Sequence, residues 1–394
     1  MIPKYRKQFN QEFSQEKYSQ LKESLAQKGG ITPTFRVSES PIFLTREFKN
    51  KLIDATESII DQIKGLPSDL LQKAVPENCY VPNDTDKPHF FTIDFGVCRH
   101  ENGEIEPQLI ELQAFPSLYA FQKVFEETFC DIYPFLNEIK NKMPDHEFRN
   151  HLKEIIVGSE SPENVILLEI FPEKQKTAID FALTEKLLGI KTVCLTQVKK
   201  EGKKLFYEKD GRKTEIKRIY NRVIFDELDR IPNLVTEFDF REEVDVKWIT
   251  HPNWFFKISK FLLPLLNHQY VPKSYFLHEF PEHESLENFV LKPLFSFAGS
   301  GVNLNPTKEI TDAIEDKENY ILQRKVSYEP VFEDINGDFS KAEIRLLYVW
   351  HENDDRPVLL ENLGRMTKAA MVNVDFNKKD AIWIGSSNAF FGEE

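Results

Sequence analysis

An Asn102-Gly103 pair lies between two strand-like runs, and no other short segment says as much about how this chain must pair. Asn-Gly is the strongest two-residue hairpin signal, because a type I′ turn needs positive φ at both central residues. With that turn in place, Phe95 faces Ile110, Ile93 faces Leu112 and Arg99 faces Glu106. Two apolar pairs and an ion pair on one face are what a correct register supplies. The same register sets Asp94 opposite Glu111 on the other face, with Gln113 diagonal to Asp94. Opposed carboxylates have Cβ atoms roughly 4.5–5.5 Å apart and repel. A divalent cation held by carboxylate and amide oxygens offsets that repulsion, Mg²⁺ bridged to phosphates being the common case. The alternatives are a solvated face where two acids meet, or a pair that shares a proton as acid and base.

The rest of the chain is composed to bury a core. Its 394 residues are 41% apolar and 12% aromatic, with 33 Phe, which disordered chains lack. At roughly 150 residues per domain the length predicts two or three domains. Against 51 basic side chains stand 64 acidic ones, for a net charge of −13. That balance argues against nucleic acid and anionic membranes as partners, since both need excess Lys and Arg. Cys79, Cys98, Cys130 and Cys194 are scattered and form no CxxC pair. Neither a signal core nor a run of ~18 apolar residues occurs. The expectation is a soluble cytoplasmic protein.

Residues 1–85 are predicted mainly helical. Thr45 is an N-cap, Phe48, Leu52, Ile59 and Ile63 recur at helical spacing, and Gly65 supplies the stop. Residues 86–150 open with the hairpin. In residues 151–235 a strand–helix–strand unit runs through Val165 to Phe171, Thr177 to Leu188 and Lys191 to Leu195. A hairpin at Asp210-Gly211 and a strand-like run from Ile216 to Val223 follow. Residues 236–394 are α+β in pattern, with a helix from Trp254 to Leu263. Strands are expected at Phe289 to Lys292, Tyr320 to Val326, Glu343 to Trp350 and Val358 to Glu361.

Several familiar signatures are spoiled or missing. His146-Glu147 with His151, and His278-Glu279 with His283, have histidines five positions apart where the zinc-protease helix needs four. That step turns the second imidazole about 140° off the first one's face. No GxSxG elbow, GxxxxGK[ST] loop or GxGxxG fingerprint occurs. The positive signals lie later. Lys292 ends an apolar strand and runs into a loop with Ser296, Gly299, Ser300 and Gly301, whose small residues let backbone N–H groups approach a phosphate. Lys257 and Lys260 lie one helical turn apart upstream, as ligand contacts or as a solvated stripe. YILQRKV, Tyr320 to Val326, suits backbone pairing with an adenine edge. Arg345 and Arg365 fall at similar depth on two strands joined around Asn353-Asp354. Guanidiniums converging near a lysine suit a transferring phosphoryl group.

Taken in order, Lys260, Lys292 with its Gly/Ser loop, Gln323, Arg345 and Arg365 resemble the nucleotide site of the ATP-grasp superfamily. The acidic Mg²⁺ strands of that family are matched early in the chain, by IDFG around Asp94 and LIELQAFPSLY around Glu111. The chain is therefore similar to a circularly permuted branch related to glutathionylspermidine synthetase. The region from Val165, with IYNRVIFDEL at Ile219 to Leu228, resembles the pre-ATP-grasp domain of such proteins. Gln113 stands where the family usually has Asn, and Gln323 where it often has Glu.

The resemblance implies an α+β and α/β architecture: an ATP-grasp fold in permuted order, a pre-ATP-grasp α/β domain and a helical N-terminal region. It implies ATP and Mg²⁺ as cofactors. Lys260, Lys292, Ser296, Gly299, Ser300, Gly301, Gln323, Lys325 and Val326 would hold the nucleotide, and Asp94, Glu111 and Gln113 the metal. Arg345, Arg365 and Lys292 would act in catalysis. The implied activity joins a carboxylate to an amine (or thiol) through an acyl phosphate, on small or peptide-like substrates, with Arg222 of IYNR a candidate substrate contact. A phosphotransferase on the same site, or a nucleotide-binding protein without turnover (motivated by the two Gln residues), are the alternatives.

Overall fold

The computed structural model describes residues 2–100, 102–296, 300–369 and 381–393; Gly299 lies outside them. The hairpin strands, Phe90–Arg99 and Ile105–Gln113, form one side of a six-stranded antiparallel sheet. Next to Phe90–Arg99 come Phe339–Val349, Val358–Thr367 and Gly385–Ser387 in spatial order, while Phe332–Glu333 pairs with the start of Phe339–Val349.

The turn is longer than the expected two residues. Arg99 pairs with Ile105, and residues 100–104 connect the strands. Gly103 takes a φ of 86°, and the Glu104 N–H donates to the Asn102 side chain at 2.9 Å. Near the turn the register is therefore shifted by one. Phe95 faces Leu109 instead of Ile110, and Arg99 leaves Glu106 for a bidentate pair with Glu329 at 2.8 and 2.7 Å. A β-bulge then inserts Ile110 as an extra residue, and beyond it Asp94 faces Glu111 and Ile93 faces Leu112 as expected. The opposed carboxylates are real, but an irregularity puts them there.

On the other face of this hairpin, Ile93, Phe95 and Val97 are buried with Leu112, Ile344 and Leu346. The helix Arg46–Gly65 belongs to the same cluster through Leu52, Ile59 and Ile63. Each such side chain contributes roughly 1.5–3 kcal/mol by leaving water. Thr45 caps the helix by accepting from the Phe48 N–H at 3.1 Å, a contact worth about 1 kcal/mol. The N-terminal region also supplies a strand that its helical pattern hides: Ile42–Thr45 pairs in parallel with Ala389–Gly392.

A four-stranded parallel sheet holds Lys247–Ile249, Arg218–Asn221, Val165–Glu169 and Lys191–Cys194 in that spatial order. Its helix Ala178–Leu188 ends at Gly189, whose φ is 73°. The Asp210-Gly211 turn forms as expected, with φ of 50° and 74°. A three-stranded sheet orders Ser274–Phe276, Tyr320–Arg324 and Phe289–Pro293, the last carrying Lys292. The helix expected from Trp254 to Leu263 is instead broken. Trp254–Lys257 is α-helical, Ser259 accepts from the Phe261 N–H at 3.2 Å, and Lys260–Leu265 continues as a 3₁₀ helix around Pro264. Lys257 and Lys260 thus sit on different elements.

Glu169 closes its parallel strand at 2% exposure and accepts from the Ile170 N–H at 2.8 Å. Burial pushes its carboxyl up to about 8 from 4.5, although Arg222 opposes the shift. The folded chain then keeps a proton that the unfolded chain releases, so this contribution is full below 4.5 and is lost as pH rises through 8. In urea titrations across that window, wild type should lose stability by roughly 1.4 kcal/mol per pH unit from this group. Glu169→Gln should lack that component of the slope.

Candidate functional site

The bulge brings two sheets together. An extra residue in one strand leaves backbone groups outside the ladder. Here the Ile110 carbonyl accepts from Lys292 Nζ at 3.2 Å, and the Leu109 carbonyl accepts from Gln323 Nε2 at 3.1 Å. Lys292 Nζ also donates to Gln323 Oε1 at 2.5 Å. Lys292 and Gln323 lie on neighbouring strands, where Val290 pairs with Gln323 and Lys292 with Ile321. The three-stranded sheet is thereby fastened to the carboxylate hairpin through its lysine.

On the six-stranded sheet, Glu111, Asp94 and Arg345 stand in one row across three adjacent strands. Arg345 grips Asp94 with two bonds, Nε to Oδ1 at 2.5 Å and Nη2 to Oδ2 at 2.6 Å. Its Nη2 is also 3.4 Å from Glu111 Oε1. One row further, Arg365 pairs across from Glu343, which pairs across from Gly96. Arg365 donates to Asp94 Oδ2 and lies 3.2 Å from Glu343. Glu343 in turn accepts from the Tyr328 hydroxyl. Tyr328 lies over Gly96, where an added Cβ would come within 2.8 Å of its ring. Lys260 reaches Glu111 at 3.8 Å and donates to the Ser296 carbonyl at 3.0 Å.

Burial makes these charges interact strongly. Taken alone it would push Glu111 up, but the field of Lys260, Arg345, Arg365 and Lys292 holds its carboxyl well below the usual range. Lys292 is pulled down to about 8 by burial, against the opposing pull of Glu111. Burial lowers Arg365, yet Asp94 and Glu343 outweigh it and raise the group. Glu343 goes up, by burial first and against the pull of Arg365.

Of the residues picked out from sequence, Asp94, Glu111, Gln113, Lys260, Lys292, Gln323, Arg345 and Arg365 meet here. Lys257 does not: it pairs with Asp84 at 2.6 Å. Lys325 points its Nζ to Asn305 at 3.2 Å, while its N–H and the Asn288 carbonyl bond at 2.8 Å; Val326 follows it beyond the strand end. Gly301 has a φ of 72° and packs on Pro293, with Ser300 beside it. Ser296 presents a buried hydroxyl without a partner among the described residues. His151, from the spoiled zinc pattern, bonds His351 at 2.8 Å. Glu343 and Tyr328 were not foreseen. Glu343 lies two residues before Arg345, and strand alternation puts both on one face, so that signal was present.

Two of the three residues expected to hold Mg²⁺, Asp94 and Gln113, do not offer it free oxygens. Both Asp94 oxygens accept from Arg345, and one also from Arg365. With its amide turned so that both ends are satisfied, the Gln113 oxygen accepts from Arg345 Nη1 and Nη2 at 2.7 and 2.9 Å. Among the described residues no group of three or more His, Cys, Asp or Glu is set to hold a metal. Seating a cation on Asp94 means breaking a buried ion pair, which costs roughly 3–5 kcal/mol when one partner is left alone. The arrangement does not fit a metal on this triad.

No family model and no curated protein matches the chain. Solved structures do. One is a glutathione synthetase-like effector, GSS30, from Globodera pallida in its apo form, with a TM-score of 0.60 over 95% of this chain and 96% of that one, at 11% identity. The chain has a glutathione synthetase-like fold. Within this glutathione synthetase-like fold, a buried cation apart from that cluster stands where the parallel strand Arg218–Asn221 ends. Arg222 is 4% exposed and lies over Phe115 and Phe181, its carbon centre 4.5 and 5.4 Å from the two rings. Its Nε and Nη1 find no acceptor among the described residues. A narrow cavity lined by Phe115, Asn221, Val223, Thr250 and His251 opens beside it. Crevices at the carboxyl ends of parallel strands are the usual ligand sites of such sheets.

The Asp94 carboxylate should matter for folding as well as for the site. Asp94→Asn leaves Arg345 buried beside a neutral group and should lower stability by roughly 3 kcal/mol, read from the urea midpoint at unchanged m.

Proposed function

We propose that this protein is an ATP-dependent ligase of the permuted ATP-grasp type, joining a carboxylate to an amine (or thiol). One observation carries the reading: Lys260, Lys292, Arg345 and Arg365, from four separate elements, converge on Asp94 and Glu111. Buried cations without enough acids to neutralise them favour a polyanion. In this reading Lys260 and Lys292 contact the inner phosphates, and the loop from Ser296 to Gly301 keeps water out. Arg222 holds a substrate carboxylate with its two unpartnered nitrogens, Nε and Nη1. A second substrate carboxylate attacks the γ-phosphorus, ADP leaves and an acyl phosphate forms. Arg345 and Arg365 stabilise the charge on the transferred group. The amine or thiol then adds to the acyl carbon and inorganic phosphate departs. Cys79, Cys98, Cys130 and Cys194 are buried and form no disulfide among the described residues, in keeping with a reducing cytoplasm. Among the described residues no helix is long and apolar enough to cross a membrane.

A reading without turnover has one observation in its favour, the engagement of all three expected metal ligands by Arg345. Product analysis separates the readings. For a ligase, ADP accumulates beyond one equivalent only when an amine or thiol acceptor is supplied. A stable phosphorylated product without acceptor indicates a phosphotransferase, and nucleotide binding without ADP across a broad acceptor panel indicates a silent site. Lys292→Ala and Glu111→Ala should each lower ATP turnover about 100-fold; unchanged turnover in both would sink the assignment.

The depressed Lys292 gives a second check. Its ammonium, with a pKa of about 8 in the free protein, must be charged to meet a phosphate. Affinity for a non-hydrolysable ATP analogue should fall about tenfold per pH unit above that value. Lys292→Arg stays charged and should bind without that decline.

A further inference from the structure

The register fixes more than a pair. Asp94 lies between Glu111 and Arg345 in one row of the sheet, so the long Arg345 side chain folds back over both acids. Its guanidinium touches all three residues that a metal would use: Asp94 at 2.5 and 2.6 Å, Glu111 at 3.4 Å and the Gln113 oxygen at 2.7 and 2.9 Å. Asp94 and Arg345 are 1% and 8% exposed, so the pair is not a surface contact that water would loosen. Arg365 adds a second guanidinium to the same carboxylate. A planar cation with donors in a fixed fork matches carboxylate oxygens in a way a spherical ion does not, and it cannot be chelated away.

Resting on the nucleotide reading above, we propose that this site binds its phosphate ligand without a divalent cation, the Arg345 guanidinium standing where the metal would. Asp94, Glu111 and Gln113 then serve as the cradle of an arginine. The arginine's remaining face and that of Arg365 meet the phosphates directly. Metal independence becomes a property of this chain's own side chains, set by the register of three strands.

The test uses the full chain and two probes, a non-hydrolysable ATP analogue and Mn²⁺. Calorimetry should give wild-type affinities for the analogue that agree within about threefold in Mg²⁺ and in EDTA. Wild type should bind no Mn²⁺ by electron paramagnetic resonance, with or without the analogue. Arg345→Met keeps the bulk and frees the three oxygens, so it should gain Mn²⁺ binding and need a metal for tenfold or more of its analogue affinity. Arg345→Lys, which keeps a charge, should bind no Mn²⁺ and supplies the comparison should the methionine variant not fold. Mn²⁺ binding by wild type, loss of analogue affinity in EDTA, or no gain of Mn²⁺ by a folded Arg345→Met overturns the proposal. Should the analogue fail to bind in either buffer, the nucleotide reading falls alone, and the Mn²⁺ comparison still decides the arginine's role.

Discussion

A carboxylate and a guanidinium facing each other across two strands, inside a protein, set the terms for everything around them. Each would be costly to bury alone, and together they are tolerable only with close geometry and further hydrogen bonds. Asp94 and Arg345 have both: two bonds to each other, then Arg365 on Asp94 and Gln113 on Arg345. Arg365 in turn needs Glu343, and Glu343 takes the Tyr328 hydroxyl. The chain of pairings covers one face of the sheet. Its opposite face is apolar and packs on the helix Arg46–Gly65. One sheet therefore serves as core on one side and as a charged platform on the other.

The platform is assembled from distant parts of the sequence. Its acids come from a hairpin near residue 100, its arginines from strands beyond residue 338, and its lysines from elements that belong to neither. No single segment could hold four cations close together against their mutual repulsion. The sheet does so by setting acids beside its arginines in each row, with Glu111, Asp94 and Arg345 in one and Gly96, Glu343 and Arg365 in the next. Tyr328 fills the space above Gly96, so the one residue without a side chain in that row is also needed there.

Much of this was legible in the residues. Periodicity and capping gave the Arg46–Gly65 helix with its Thr45 cap, and β-rich runs gave the strands of Lys292, Arg345 and Arg365. What escaped was non-local. The strand Ile42–Thr45 forms only because Ala389–Gly392 arrives to pair with it. Helical spacing joined Lys257 to Lys260, but Ser259 caps a new turn between them and sends the two lysines to different partners. The metal triad followed from opposed acids needing a counter-charge. That need is real, and a protein cation from a strand 230 or more residues away meets it. Only strand order, which the local pattern does not contain, shows which neighbour arrives.

The hairpin's two halves also differ in what holds them. The turn at 100–104 is closed by its own short-range bonds, whereas the bulge is pinned from outside by Lys292 and Gln323. Were Ile110 paired instead of bulged, the turn-side register would run on unbroken with Ile110 opposite Asp94, and Glu111 would point with Ile93 into the apolar core. The bulge thus acts as a mechanical clutch: changes of length at the turn slip there before they reach Asp94. Loop length at the tip is free to drift, while the bulging of Ile110 out of the pairing decides whether the acids share a face.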